Sequence, residues 1–270
     1  MKALRQLLVA SLSVAFLATG AANAASTTNF SDQWWVSTES GWGASVQQQS
    51  NTLFIDLMMY GADGKPTWFF VAAFLQTSPP AGHTVFVGDL YATTGPYYGG
   101  AFNPSLVTAR KVGTLTFDAT AANTATMSYT VDGTPVVKSV TRQTWSYEDL
   151  SGSYHGGWNG DRASCINGPA NETHFEDQLT ITVAKNADNA VTVTLRFGDG
   201  GIESFSGTYA QSGHLGRIDG VFPEGMGRIS VSEIETTRSG FTARFEGDLV
   251  TSHWRDWCEM KNGRIGGVLR

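Results

Sequence analysis

The sequence predicts an all-β protein of two tandem antiparallel meander (up-and-down) barrel-like units, and three observations carry that prediction. Turn dipeptides recur at short intervals, among them Asp63-Gly64, Asp132-Gly133, Asn159-Gly160, Asp199-Gly200 and Asn262-Gly263. Such pairs close tight hairpins because glycine, asparagine and aspartate tolerate positive φ. Between the turns apolar and polar residues alternate: Ala125, Met127, Tyr129 and Val131 against Thr126, Ser128 and Thr130, and Val191, Val193, Leu195 and Phe197 against Thr192, Thr194 and Arg196. That is the period of a half-buried strand. No window beyond Ala24 sustains a helical apolar stripe.

In chain order, Lys2 and Arg5 precede an apolar run from Leu7 to Leu17, and Ala22-Asn23-Ala24 supplies small residues where a signal peptidase cuts. Residues 1–24 therefore read as a signal peptide, which places the mature protein in the periplasm or outside the cell. The run is too short for a membrane span of ~20 residues. Removing two positive charges and no acid moves the formal net charge from −6 to −8. An acidic chain without a basic footprint is a poor nucleic-acid binder, and without a polybasic cluster it has no anchor for anionic lipid. No nucleic-acid partner and no membrane insertion are expected. A transmembrane barrel would carry apolar outer faces on strands of ~9–11 residues, whereas threonine and charge occupy the outer positions of many short runs here.

The mature chain divides into a unit at 28–147 and a unit at 148–270, joined where polar residues interrupt the alternation at Thr144-Trp145-Ser146-Tyr147-Glu148-Asp149-Leu150. Each unit is long enough to bury its own core. Consecutive hairpins without a long crossover favour a meander barrel, which removes sheet edges; a Greek-key sandwich is the alternative. Cys165 and Cys258 are the only cysteines, and in an oxidising compartment they are expected to form one disulfide within the second unit.

Aromatic residues concentrate between Trp34 and Leu75. Trp34-Trp35 and Glu39-Ser40-Gly41-Trp42-Gly43 are followed by a hairpin whose arms hold Phe54, Tyr60, Trp68, Phe69, Phe70 and Phe74. With Asp63-Gly64-Lys65-Pro66 between Tyr60 and Trp68, this stretch resembles a repeat domain of exported bacterial proteins that pairs an E-S-G-W-G segment with a Y-x-x-D-G-x-P-x-W hairpin. The resemblance covers about the first third of the mature chain, and it implies a β-rich exported protein without assigning an activity. The second unit, with Gly207-Thr208-Tyr209 and Gly263-Arg264-Ile265-Gly266-Gly267, is similar to an uncharacterised companion domain of such proteins. A tryptophan near the first strand of a meander barrel also resembles avidin-type and lipocalin-type binders, a likeness of architecture alone.

Reactive signatures are missing from the sequence: no G-x-S-x-G elbow, H-E-x-x-H pair, phosphate loop or dinucleotide fingerprint occurs. No cofactor and no metal are expected. His155, His174 and Glu176 would bind a metal only if the fold brought them together. Asp56 stands out because it shares a strand face with Phe54, Met58 and Tyr60. It is a polar anchor in an aromatic-lined pocket, a residue on an outward face, or a carboxylate bonded to a neighbouring strand's hydroxyl or indole. Tyr97 and Tyr98 lie on a glycine-rich connector, where exposed rings suit stacking on a ligand.

The reading that follows is a secreted or periplasmic non-catalytic binding module for a small molecule or glycan, its site formed by Trp34, Trp35, Trp42, Asp56, Tyr60, Trp68, Tyr97 and Tyr98. An extracellular hydrolase acting on a glycan or other polymer is the alternative. It would use Asp56 and Glu39, or Asp161 and Glu176, as a carboxylate pair. A structural or adhesive surface protein is the third.

Overall fold

The computed structural model describes residues 28–166, 173–223, 227–250 and 257–270; the expected signal peptide, 1–24, lies outside them. The first unit comprises β1 (Asp32–Trp35), β2 (Gly43–Gln49), β3 (Thr52–Tyr60), β4 (Pro66–Leu75), β5 (Thr84–Thr94), β6 (Thr108–Ala121), β7 (Thr124–Val131) and β8 (Thr134–Arg142). Each pairs with the next, and β1 returns to β8 through Trp34–Arg142 and Trp35–Thr141, closing the barrel. The second unit repeats the plan with β9 (Gly152–Ala163), β10 (Thr173–Lys185), β11 (Ala190–Phe197), β12 (Ile202–Ser212), β13 (Leu215–Val221), β14 (Gly227–Thr237), β15 (Gly240–Val250) and β16 (Trp257–Leu269). There β16 closes against β9. Strand order equals chain order in both barrels, so the architecture is the meander and not the sandwich.

Period two sets the cores. Ala125, Met127 and Tyr129 point inward from β7, as do Val191, Val193, Leu195 and Phe197 from β11, while the intervening threonines stay on the other face. An eight-stranded barrel is just wide enough for its own side chains to fill, and both interiors are filled. In the first, Phe30 folds in ahead of β1 and meets Phe86 and Phe117 edge-on at 5.9 and 5.4 Å, with Trp34 against Phe117 at 5.2 Å. In the second, Trp158 stacks on Phe245 and meets Phe175 and Phe197 edge-on. Between Ile181, Val193, Ile218 and Phe241 about 10 Å³ remains, no more than a single water would need.

Cys165 and Cys258 form the disulfide. One lies just after β9 and the other at the start of β16, so the bridge staples one end of the seam that closes the second barrel.

A charged joint connects the barrels. Asp32 Oδ2, at the start of β1, accepts hydrogen bonds from the backbone N–H and Nδ1 of His214, both at 2.9 Å, and from Arg142 Nη1 at 3.2 Å. Arg142 is buried; it also donates to the carbonyls of Asn29 (2.6 Å), Ser31 (3.1 Å) and Ala122 (2.7 Å), and its guanidinium lies 4.9 Å from the Trp34 ring centre. Glu235 accepts from Asn29 Nδ2 and stands 3.8 Å from His214 Nε2, while Glu233 accepts from Thr28 Oγ1 and pairs with Arg244. Gly213 has φ +61°, and a Cβ there would sit 1.9 Å from Asp32 Oδ2, so only glycine lets the β12–β13 turn approach this closely.

The joint is built to respond to pH. The bond to Asp32, and after it Glu235, pushes the His214 imidazole up to about 9. Burial works to raise Asp32, but the bonds from His214 and Arg142 outweigh it and hold the carboxyl below its usual value; His214 lowers Glu235 likewise. A raised histidine contributes fully below its ordinary value of 6.5, and that contribution is lost as pH rises through about 9. The lowered carboxylates contribute fully above their ordinary values of 3.8 and 4.5 and lose that contribution as pH falls below them. Thermal melts should therefore peak between about pH 4.5 and 6.5, with an alkaline decline that flattens in His214→Gln. If the alkaline limb of that variant matched the wild type, His214 would not be the titrating group.

Candidate ligand-binding face

The register of the first barrel puts its spare aromatics in rows on the outer surface. Strands β3 and β4 are apolar on both faces, and closure places Leu53, Ile55, Leu57, Val71 and Ala73 inside. The opposite phase, Phe54, Asp56, Met58 and Tyr60 on β3 with Trp68, Phe70, Ala72 and Phe74 on β4, is left outside. Cross-strand pairing then aligns Trp35, Gly43, Met58 and Trp68 in one row. The neighbouring row runs Gln33, Ser45, Asp56, Phe70, Tyr91 and Lys111. Gln47, Phe54 and Ala72 form a third.

Phe70 is the centre of this surface. It lies near-parallel to Phe54, with centroids 5.8 Å apart, and to Tyr91 at 5.6 Å, and Trp68 flanks it at 6.5 Å. Trp68 and Tyr60 are 53% and 59% exposed, so this face is open to solvent. Contiguous apolar surface of this kind is a feature that contact sites commonly share. Gly43 leaves a shallow gap between Trp35 and Met58. A Cβ there would meet only the Trp34 carbonyl, at an ordinary 3.6 Å, so packing does not demand the glycine.

Asp56 lies within this surface, flanked along its strand by Phe54 and Met58 and across the strands by Ser45 and Phe70. Burial against these groups raises its carboxyl above the usual aspartate value. Among the described residues no hydrogen bond or ion pair of Asp56 is found. Lys111, in the same row, pairs with Asp89 at 2.7 Å, and Lys65, in the β3–β4 turn, with Asp63 at 3.6 Å. Asp56 thus lies on an outward face, as one of the expectations for it had it.

The other expected site residues fall differently. Trp34 is a correction: it is fully buried, donates its indole N–H to the Phe30 carbonyl at 3.0 Å and carries Arg142 on its ring, so it belongs to the core. Its phase on β1 is opposite to that of Trp35, which is half-buried on the outer face. Trp42 sits at the barrel mouth, bonded through its indole N–H to Tyr129 Oη at 2.9 Å with Lys138 over its ring. Lys138 in turn is ion-paired with Glu39. Tyr60 lies on Gly41, where a Cβ would come within 2.4 Å of the ring, so the two halves of the aromatic stretch meet through a residue without a side chain. Tyr97 and Tyr98 project from the β5–β6 connector, 71% and 92% exposed, and their ring contact is with each other at 4.7 Å. Sequence reasoning missed Phe70 and Tyr91 as site members, although the apolar-on-both-faces pattern of β4 was the available signal.

Asp161 and the histidines, candidates for chemistry in the second barrel, are engaged or apart. Asp161 bonds to His174 Nδ1 at 3.1 Å and to Asn262 Nδ2 at 2.9 Å, and these partners, Asn262 before His174, lower its pKa, the opposite of what a general acid needs. His174 faces Asp161 whereas His155 faces Thr180, six positions along β9 (161 − 155), so the two histidines do not converge. Among the described residues no group of three or more His, Cys, Asp or Glu side chains is placed to hold a metal.

Comparison of the chain with protein-family models, with curated proteins and with solved structures returns no match.

Proposed function

We propose that this is an exported binding module without catalytic machinery, which holds a glycan chain on the outer aromatic face of its first barrel. The observation that carries the proposal is the exposed row system around Phe70, with Trp68, Phe54 and Tyr91 beside it and the Gly43 gap along one edge. Exposed aromatic rings favour flat, weakly polar ligands such as sugar faces, because they offer large rigid area at low entropy cost. The filled interiors argue against a ligand held in a lumen, as avidin-type or lipocalin-type binders hold theirs. Apolar-in and threonine-out strands support a barrel surrounded by water, and the disulfide supports an oxidising compartment. The second barrel acts in this reading as a scaffold braced by its disulfide and held to the first through the Asp32–His214 joint.

Calorimetric titration of the mature protein against soluble glycans tests this. Trp68→Ala and Phe70→Ala should each weaken binding about two- to tenfold, the value of one aromatic contact. Gly43→Val should block the gap; it and Trp68→Ala should keep a melting curve close to the wild type, because both positions lie outside the core, whereas Phe70→Ala should lower it modestly while the protein still folds. Binding that survives all three changes would place the site elsewhere.

A further inference from the structure

Among the described residues Asp56 has no hydrogen-bond or ion-pair partner, and its position says what the ligand brings. It stands in a surface of rings, with Phe54 and Met58 two positions either side on its own strand and Phe70 opposite on β4. A carboxylate costs more in apolar surroundings unless a cation or donor meets it. A cation here would gain twice, from a charge-assisted bond to Asp56 and from the faces of the neighbouring rings. The Ser45 hydroxyl, aligned opposite Asp56 on β2, adds a donor and acceptor beside it. The charged groups on the surrounding strands leave this role open: Asp89 is taken by Lys111 and Asp63 by Lys65. The chain as a whole is acidic, with a formal net charge of −6, which favours a cationic ligand in the long-range field as well.

We infer that the glycan held on this face carries free ammonium groups, one of which seats against Asp56 over Phe70. The ligand class is therefore an amino-sugar polymer that is not N-acylated. This rests on the glycan reading above and narrows it. A lysine-rich peptide offers the same cation, but an extended peptide binds a sheet most readily by adding a strand to a free edge, and both barrels are closed.

The test is calorimetry with β-1,4-linked glucosamine oligomers, their fully N-acetylated counterparts and a lysine-rich peptide, each against the wild type, Asp56→Asn and Phe70→Ala. The free-amine oligomer is expected to bind about tenfold or more tightly than the acetylated one, as a charge-assisted bond provides. That advantage should shrink with added salt and vanish in Asp56→Asn, whose melting curve should match the wild type. Phe70→Ala should weaken both oligomers. Equal binding of the two oligomers, unaffected by Asp56→Asn, would overturn this inference and leave the glycan reading standing. Binding of neither oligomer nor any other glycan would overturn both. The peptide binding more tightly than the oligomers, with the same dependence on Asp56, would overturn the glycan class and keep the cation site.

Discussion

Arg142→Ala is expected to be among the most destabilising single substitutions in the protein, at about 3–5 kcal/mol, the cost of breaking a buried ion pair from one side. The guanidinium is buried and serves four acceptors at once: Asp32 and the carbonyls of Asn29, Ser31 and Ala122. Alanine would leave those carbonyls short of donors, open a void beside Trp34 and remove the cation facing Asp32. Three of the four acceptors belong to the segment leading into and starting β1, so the first barrel would lose both its closing seam and the lead-in that carries Phe30. The barrels should also uncouple, because Asp32 is the residue His214 of the second barrel grips. Urea denaturation should show the midpoint falling, with the loss concentrated in the first barrel. Arg142→Lys retains a charge but not the planar fork, and it should fall between. A loss below about 1 kcal/mol in Arg142→Ala would show that the joint is ornamental to stability.

The second large effect concerns the disulfide, and it should be confined to one barrel. Cys165 and Cys258 are 93 positions apart, and a loop of that length constrains the unfolded chain by about 4–5 kcal/mol in the chain-entropy account. Paired Cys→Ser substitution, or reduction, should lower the melting temperature of the second barrel and leave hydrogen exchange in the first barrel's core strands unchanged. The bridge joins the ends of β9 and β16, the two strands whose pairing closes the barrel. Opening should therefore begin at that seam, with the amides of Glu259 to Lys261 losing protection first. Equal loss of protection in both barrels would show that they unfold as one unit and that the joint outweighs the staple.

The all-β, two-barrel architecture was legible because each of its signals is local. Asp132 and Gly133 both adopt positive φ, the demand of a two-residue hairpin turn, and the sequence at that turn is one that meets it. The threonine alternation of β7 and β11 assigned their inner faces unaided. The first-barrel site was only partly legible. Asp56, Tyr60, Trp68 and Trp35 fall on one outer surface, Trp34 is core, Trp42 is at the mouth, and Phe70 and Tyr91 had to be added. On β3 and β4 both phases are apolar, so periodicity carried no information about which would face in. Arg142 and His214 gave no signal at all, since each is a single polar residue in an ordinary strand or turn.

By itself, then, the sequence determined where strands and turns fall, favoured two consecutive meanders over the sandwich alternative, and led to the expectation that the two cysteines pair. Those follow from backbone preferences and alternation over a few neighbouring residues, and from having only one pairing to choose. The tertiary structure decided which side of β3–β5 meets water and which charges meet one another. Closing eight strands leaves room for only one layer of side chains; Phe30, Trp34, Phe86 and Phe117 fill it, and the remaining rings gather outside around Asp56. The joint pairs Asp32 with Arg142 and His214 across 110 and 182 residues of chain, a proximity created by barrel closure and docking.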